Sequence, residues 1–133
     1  MITITGGSKT QRNHAFSLAV HVCQKFNISP TVEINFRRMT NDAATGTCLE
    51  LEHGEYEVDI KRSLCLLDML TTLAHELVHV KQYMLLEMPQ YSEEGEYWDR
   101  AHEIEAHGRE RGLFINWAKA NSLENKAWIR KNQ

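Results

Sequence analysis

An α+β domain is what this chain predicts, and three observations carry the prediction. A helix-like segment near the N-terminus precedes a group of short alternating runs, and two long stretches of helical periodicity follow. An order of helix, small antiparallel sheet with a hairpin, then two long helices and a short C-terminal one keeps its strands and helices apart, as α+β folds do. With 133 residues and 42% hydrophobic content, the chain is expected to form one domain, 1–133, around a single core.

The elements follow in chain order. Ser8 or Thr10 is placed to cap a helix running to about Phe26, with Phe16, Ala19, Val20, Cys23 and Phe26 on its apolar side. The preceding Gly6-Gly7-Ser8-Lys9-Thr10 lacks the first glycine of a phosphate loop, so it reads as a turn leading into that cap. Residues 27–30 stop the helix. In 31–36, Val32, Ile34 and Phe36 alternate with polar neighbours as in a half-buried strand. Residues 41–46 read as a loop, and the alternating runs 46–52 and 55–61 form a tight hairpin at His53-Gly54. From 63 to 87 there is no proline or glycine, and apolar residues from Leu66 to Leu85 cover more than half of a helical wheel. Such a helix is mostly buried. Its narrow polar arc carries Asp68, Thr72, His75, His79 and Gln82. Residues 89–97, with Ser92-Glu93-Glu94-Gly95-Glu96, form an acidic connection whose position also suits a lid. The tail 121–133 reads as a short amphipathic helix carrying Leu123, Ala127 and Trp128, and Trp98, Trp117 and Trp128 read as packing residues.

Chemistry concentrates in His75-Glu76-Leu77-Val78-His79, an HExxH string on the most apolar helix. Histidines four residues apart on a helix point the same way and can share one metal ion, with the glutamate beside it. Buried polar groups need partners, and a metal ion satisfies both imidazoles. Catalytic zinc takes three protein ligands, so a third must come from elsewhere. Residues 80–87 contain no histidine, which points away from the metzincin pattern. The segment 97–107 is the downstream stretch dense in candidates. On its helical wheel Glu103 shares a face with Asp99, Ala106, His107, Glu110, Phe114 and Trp117, whereas Glu105 lies about 200° away beside Arg109 and Trp98. Ala106, one turn beyond Glu103, lets that face approach closely, which favours Glu103 over Glu105 and leaves Glu105 as the alternative.

The pair formed by His75-Glu76-Leu77-Val78-His79 and Glu103-Ile104-Glu105-Ala106-His107 resembles the gluzincin arrangement of zinc peptidases, in which a glutamate from a later helix completes the HExxH site. The likeness is to the minimal, single-domain kind common in phages and bacteria, and it spans roughly 63–117. It implies a zincin-like fold, one Zn2+ per chain held by His75, His79 and Glu103, and Glu76 as general base. Zinc in such a set acidifies its water towards a pKa of about 7, and Glu76 takes the proton and passes it to the leaving amine. The position four residues after Glu103 holds His107 where gluzincins often have an aspartate. His107, Tyr83, Tyr97 and His102 are the candidates for supporting the ligands or stabilising the transition state. The resemblance also implies an extended peptide or protein substrate, added as a strand at a sheet edge with the hairpin as platform.

Composition bounds the alternatives. A net charge of -3 leaves no broad basic surface, so no nucleic-acid partner is expected. No apolar run is long enough for a membrane span. Cys23, Cys48 and Cys65 are scattered and odd in number, and with no signal-like N-terminus they fit a reducing cytoplasm, including that of a bacterium expressing a phage or prophage protein. His14, His21 and His53 have no partner spacing and read as surface or packing residues. Beside a zinc peptidase stand a zinc-containing binding or regulatory module without proteolysis, and a metal-free scaffold with its histidines satisfied by hydrogen bonds.

Overall fold

The computed structural model of the protein describes residues 1–39, 44–88 and 100–130, with the side chain of Arg130 excepted. Its elements are β1 (Ile2–Thr5), α1 (Lys9–Phe26), β2 (Thr31–Arg37), β3 (Gly46–Glu52), β4 (Glu55–Lys61), α2 (Leu66–Met84), α3 (Ala101–Ala120) and α4 (Ala127–Arg130). The loop residues Asn41, Asp42 and Ala43, the acidic connection 89–97 with Tyr97, and Trp98 and Asp99 lie outside the described residues.

The four strands form one sheet in the order β1-β2-β4-β3. The expected antiparallel sheet is corrected to a mixed one. β1 pairs with β2 and β2 with β4 in parallel, and only the β3–β4 hairpin is antiparallel. The reason lies in β1, a strand absent from the sequence expectation. A helix between two strands carries the chain back over the sheet, so β1, α1 and β2 make a crossover unit and the strands run the same way. Strand β1 thus precedes α1, which is a connection between two strands.

Helix α1 starts where a capping box predicts. Ser8 Oγ accepts from the Gln11 amide at 3.1 Å, and Gln11 Oε1 accepts from the Ser8 amide at 2.8 Å. Before it, Gly6 turns with φ +75, where a Cβ would come 2.6 Å from the Phe36 carbonyl oxygen, so only glycine fits. The buried face of α1 is Ala15, Leu18, Ala19, Val22 and Cys23. It is rotated from the expected stripe: Phe16 is 49% exposed, because the row containing two alanines permits closer packing than the row led by phenylalanine.

Val32, Ile34 and Phe36 of β2 and Tyr56, Val58 and Ile60 of β4 form one buried face of the sheet, packed against the helices. Its other face carries Glu33, Arg37, Glu57 and Asp59, with Arg37 paired to both Glu57 and Asp59. Helix α2 lies between the sheet and α3, and residues 73–82 of it are all buried. On the far side α3 contributes Ala106, Leu113, Phe114, Trp117 and Ala118, and the Trp117 indole donates to Ser17 Oγ of α1 at 2.9 Å. This layering forces the polar residues of α2, namely His75, Glu76, His79, Lys81 and Gln82, to find partners inside the protein.

Edge strand β3 reaches α2 at Gly46. A Cβ there would lie 2.7 Å from Thr72 Cγ2 and 3.3 Å from Glu76 Cγ, so the absence of a side chain lets the strand lie against the helix beside Glu76. Among the described residues no helix is long and apolar enough to cross a membrane.

Candidate metal centre

One helical turn separates His75 from His79 on α2, and their rings stand 4.9 Å apart at 83°. Glu103, in the first turn of α3, faces both. Its Oε1 lies 3.1 Å from His75 Nε2 and 3.1 Å from His79 Nε2, and all three residues are buried. The fully buried Ala106, one turn on, lets α3 come this close.

The donor set and its spacing fit a zinc ion. Two imidazoles and a carboxylate are ordinary zinc ligands, and a tetrahedron with bonds of about 2.0–2.1 Å has edges of about 3.3 Å. The observed 3.1 Å contacts lie close to that edge length.

Each imidazole is held by its other nitrogen. His75 Nδ1 lies 3.4 Å from Glu110 Oε1, and His79 Nδ1 donates to Gln82 Oε1 at 2.7 Å. With Nδ1 protons turned to these acceptors, both Nε2 lone pairs face the convergence point. Burial works against charging His75, but Glu110, Glu76 and Glu103 together raise its pKa, whereas burial dominates at His79 and lowers it. Burial opposes ionisation of Glu110, yet hydrogen bonds from His75 and His107 bring its carboxyl below the ordinary range.

Glu105 stands apart from this cluster. It accepts from Lys81 Nζ at 2.8 Å, Arg109 Nε at 2.9 Å and Gln82 Nε2 at 2.9 Å. Partial burial pushes its carboxyl up, but these three hydrogen bonds outweigh it and hold the pKa at about 2. Between the two glutamates weighed from the sequence, Glu103 is the one that joins the histidines.

Glu76 follows His75 around the helix and borders a cavity of about 700 Å³, with the three converging residues in its wall. Desolvation raises the Glu76 carboxyl to about 7; His75 opposes this, while Glu103 and Glu110 add to it. Residues 44–48, including the start of β3, also line it. Burial likewise raises the thiol pKa of Cys48 there, with Glu76 and Glu50 adding to it.

Of the supporting candidates, Tyr83, His102 and His107 border the cavity. Tyr83 stacks on Tyr56 with centroids 5.6 Å apart, and His102 Nε2 lies 3.8 Å from Glu103 Oε2. His107 donates to Glu110 Oε1 at 2.9 Å, and its ring is 4.3 Å from that of His75. Tyr97 lies outside the described residues. Two anchors, Gln82 and Glu110, had no assigned role in the sequence reading. The signals were present: Gln82 sits one turn from His79 on the polar arc, and Glu110 shares the wheel face of Glu103. Of the histidines read as surface or packing residues, His14 contacts the Trp117 and Trp128 rings, His53 is exposed, and His21 is half-buried.

No protein-family model, curated protein or solved structure matches this chain.

Proposed function

We propose that the chain is a zinc-dependent peptidase of the single-domain gluzincin type. The observation that supports this most is the convergence of His75 Nε2, His79 Nε2 and Glu103 Oε1 beside the Glu76 carboxyl, in a cleft flanked by an edge strand. His75, His79 and Glu103 would hold one zinc ion, which when bound supplies Lewis acidity to a carbonyl and acidifies water. The chain's own contribution to the chemistry is Glu76. As a carboxylate it takes the proton of the attacking water, and as the acid it returns that proton to the leaving nitrogen. A group raised to about 7 by burial serves both directions near neutral pH.

Substrate in this reading is an extended peptide or protein segment. Among the described residues β3 is hydrogen-bonded to β4 on one side only, so its outer edge has backbone groups to offer a further strand. A strand added there passes over Gly46 and beside Glu76. Tyr83, His102 and His107 border the same cleft and are the described candidates to donate to the carbonyl oxygen as charge develops on it. The free thiols of Cys23, Cys48 and Cys65 agree with a reducing compartment.

The test is Glu76→Gln against a quenched-fluorescence peptide library. The variant is expected to keep its zinc and to lose turnover by about a hundred- to ten-thousand-fold, the worth of a general base. If wild type and variant both bind zinc and neither cleaves any peptide, the protein is instead a zinc-containing binding module.

A further inference from the structure

The Gln82 amide is 1% exposed, and both its nitrogen and its oxygen are hydrogen-bonded. Its Nε2 donates to the His102 carbonyl at 2.8 Å and to Glu105 Oε1 at 2.9 Å, while its Oε1 meets His79 Nδ1 at 2.7 Å. An amide can be turned end for end at little cost in shape, so its orientation is decided by its partners. Two of the three partners, a peptide carbonyl and a carboxylate, only accept. They require the NH2 end and send the carbonyl end to His79. His79 must then donate from Nδ1, which leaves the lone pair on Nε2 facing Glu103. With the amide reversed, an N–H would face Nδ1, the ring proton would move to Nε2, and the nitrogen that faces Glu103 would be blocked for a metal.

The Glu105 carboxylate is itself fixed. Lys81 Nζ and Arg109 Nε both donate to its Oε2, leaving Oε1 for Gln82. Lys81 is also tied to Glu87 at 2.7 Å, and Lys81 and Arg109 both stand 5.6 Å from the centre of the Phe26 ring. A braced row of contacts thus runs from Lys81 and Arg109 through Glu105 and Gln82 to His79, and it involves neither Glu76 nor Glu110.

We propose that Glu105 is a positioning residue for the metal centre: by orienting the Gln82 amide it sets the tautomer of His79 that leaves Nε2 open to a cation. This rests on the zinc reading above. The glutamate not chosen as ligand then supports the neighbouring ligand from behind, two residues along the same helix from Glu103.

The experiment compares wild type, Glu105→Gln and Glu105→Leu. Zinc affinity is read by competition with a chromophoric chelator, and the His79 tautomer by imidazole nitrogen NMR of the chelated protein at mildly alkaline pH. Glu105→Leu removes the acceptor and is expected to weaken zinc binding by about tenfold or more, the low end for partners of metal-bound histidines, with His79 shifting from the Nδ1–H form to a mixture. Glu105→Gln keeps an acceptor oxygen for Gln82 and is expected to lie between the two. Should Glu105→Leu fail to fold because buried Lys81 keeps only Glu87 as a partner, Glu105→Leu with Lys81→Met removes the buried cation and carries the same expectation. An unchanged tautomer, with zinc affinity within about twofold of wild type, overturns the proposal. A wild type that binds no zinc overturns the zinc reading instead, and the NMR arm still decides whether Glu105 sets the ring.

Discussion

Glu76 illustrates what burial does to one side chain. Its carboxyl ionises near 4.5 in an unfolded chain and at about 7 in the folded one. A raised pKa means that the folded state holds the proton more tightly, so Glu76 favours folding below about 4.5 and that contribution is lost as pH rises through about 7. Urea unfolding of chelator-treated protein should therefore show Glu76→Gln gaining stability relative to wild type across that window, then running parallel above it. Parallel curves throughout would mean that burial does not perturb this carboxyl. At the same scale, the residues of the cluster differed in how visible they were. His75, Glu76 and His79 were legible because a fixed spacing on one helix needs no tertiary information. Glu103 was separable from Glu105 by wheel geometry, since only one face of α3 carries residues that pack. Gln82 and Glu110 were not legible as anchors. Spacing puts both on the right helix faces, but which of the residues on a face bonds a ring's second nitrogen depends on side-chain reach and on the crossing of α2 and α3.

At the scale of elements, helix ends record where the chain departs from its own preferences. α2 finishes in a Schellman turn, with the Leu86 amide bonded to the Tyr83 carbonyl and the Glu87 amide to that of Gln82. Leu86 adopts φ +58 there and is 81% exposed, so it bears the left-handed strain without burying its side chain. Leu86→Gly should raise unfolding free energy by about 1 kcal/mol, read from denaturant midpoints; a loss of stability would show that Leu86 is held by contacts which offset the strain. The sheet shows a different limit of sequence reading. The β3–β4 hairpin was legible because its pairing is local and Gly54 marks the turn. β1 was missed although Ile2-Thr3-Ile4-Thr5 alternates and ends at two glycines, because four residues make a weak period. With β1 unseen, nothing in the sequence distinguished a crossover helix from a free-standing one, so the parallel pairs were out of reach.

At the scale of the molecule, the layers explain why the cluster forms where it does. The sheet covers one side of α2, α3 covers another, and β3 comes close at Gly46, so the polar arc of α2 opens into the cleft that these elements enclose. Burying a site between layers excludes water and strengthens its electrostatics, and it also makes each unpartnered polar group costly. Hence the ligand candidates and their anchors form continuous hydrogen-bonded rows instead of isolated pairs. Whether His75, His79 and Glu103 converge on a zinc ion is decided by metal analysis by mass spectrometry on purified, zinc-reconstituted protein. About one zinc per chain in wild type, lost in Glu103→Ala, is expected of a three-ligand site. No zinc in wild type, or a full complement retained by Glu103→Ala, would contradict it.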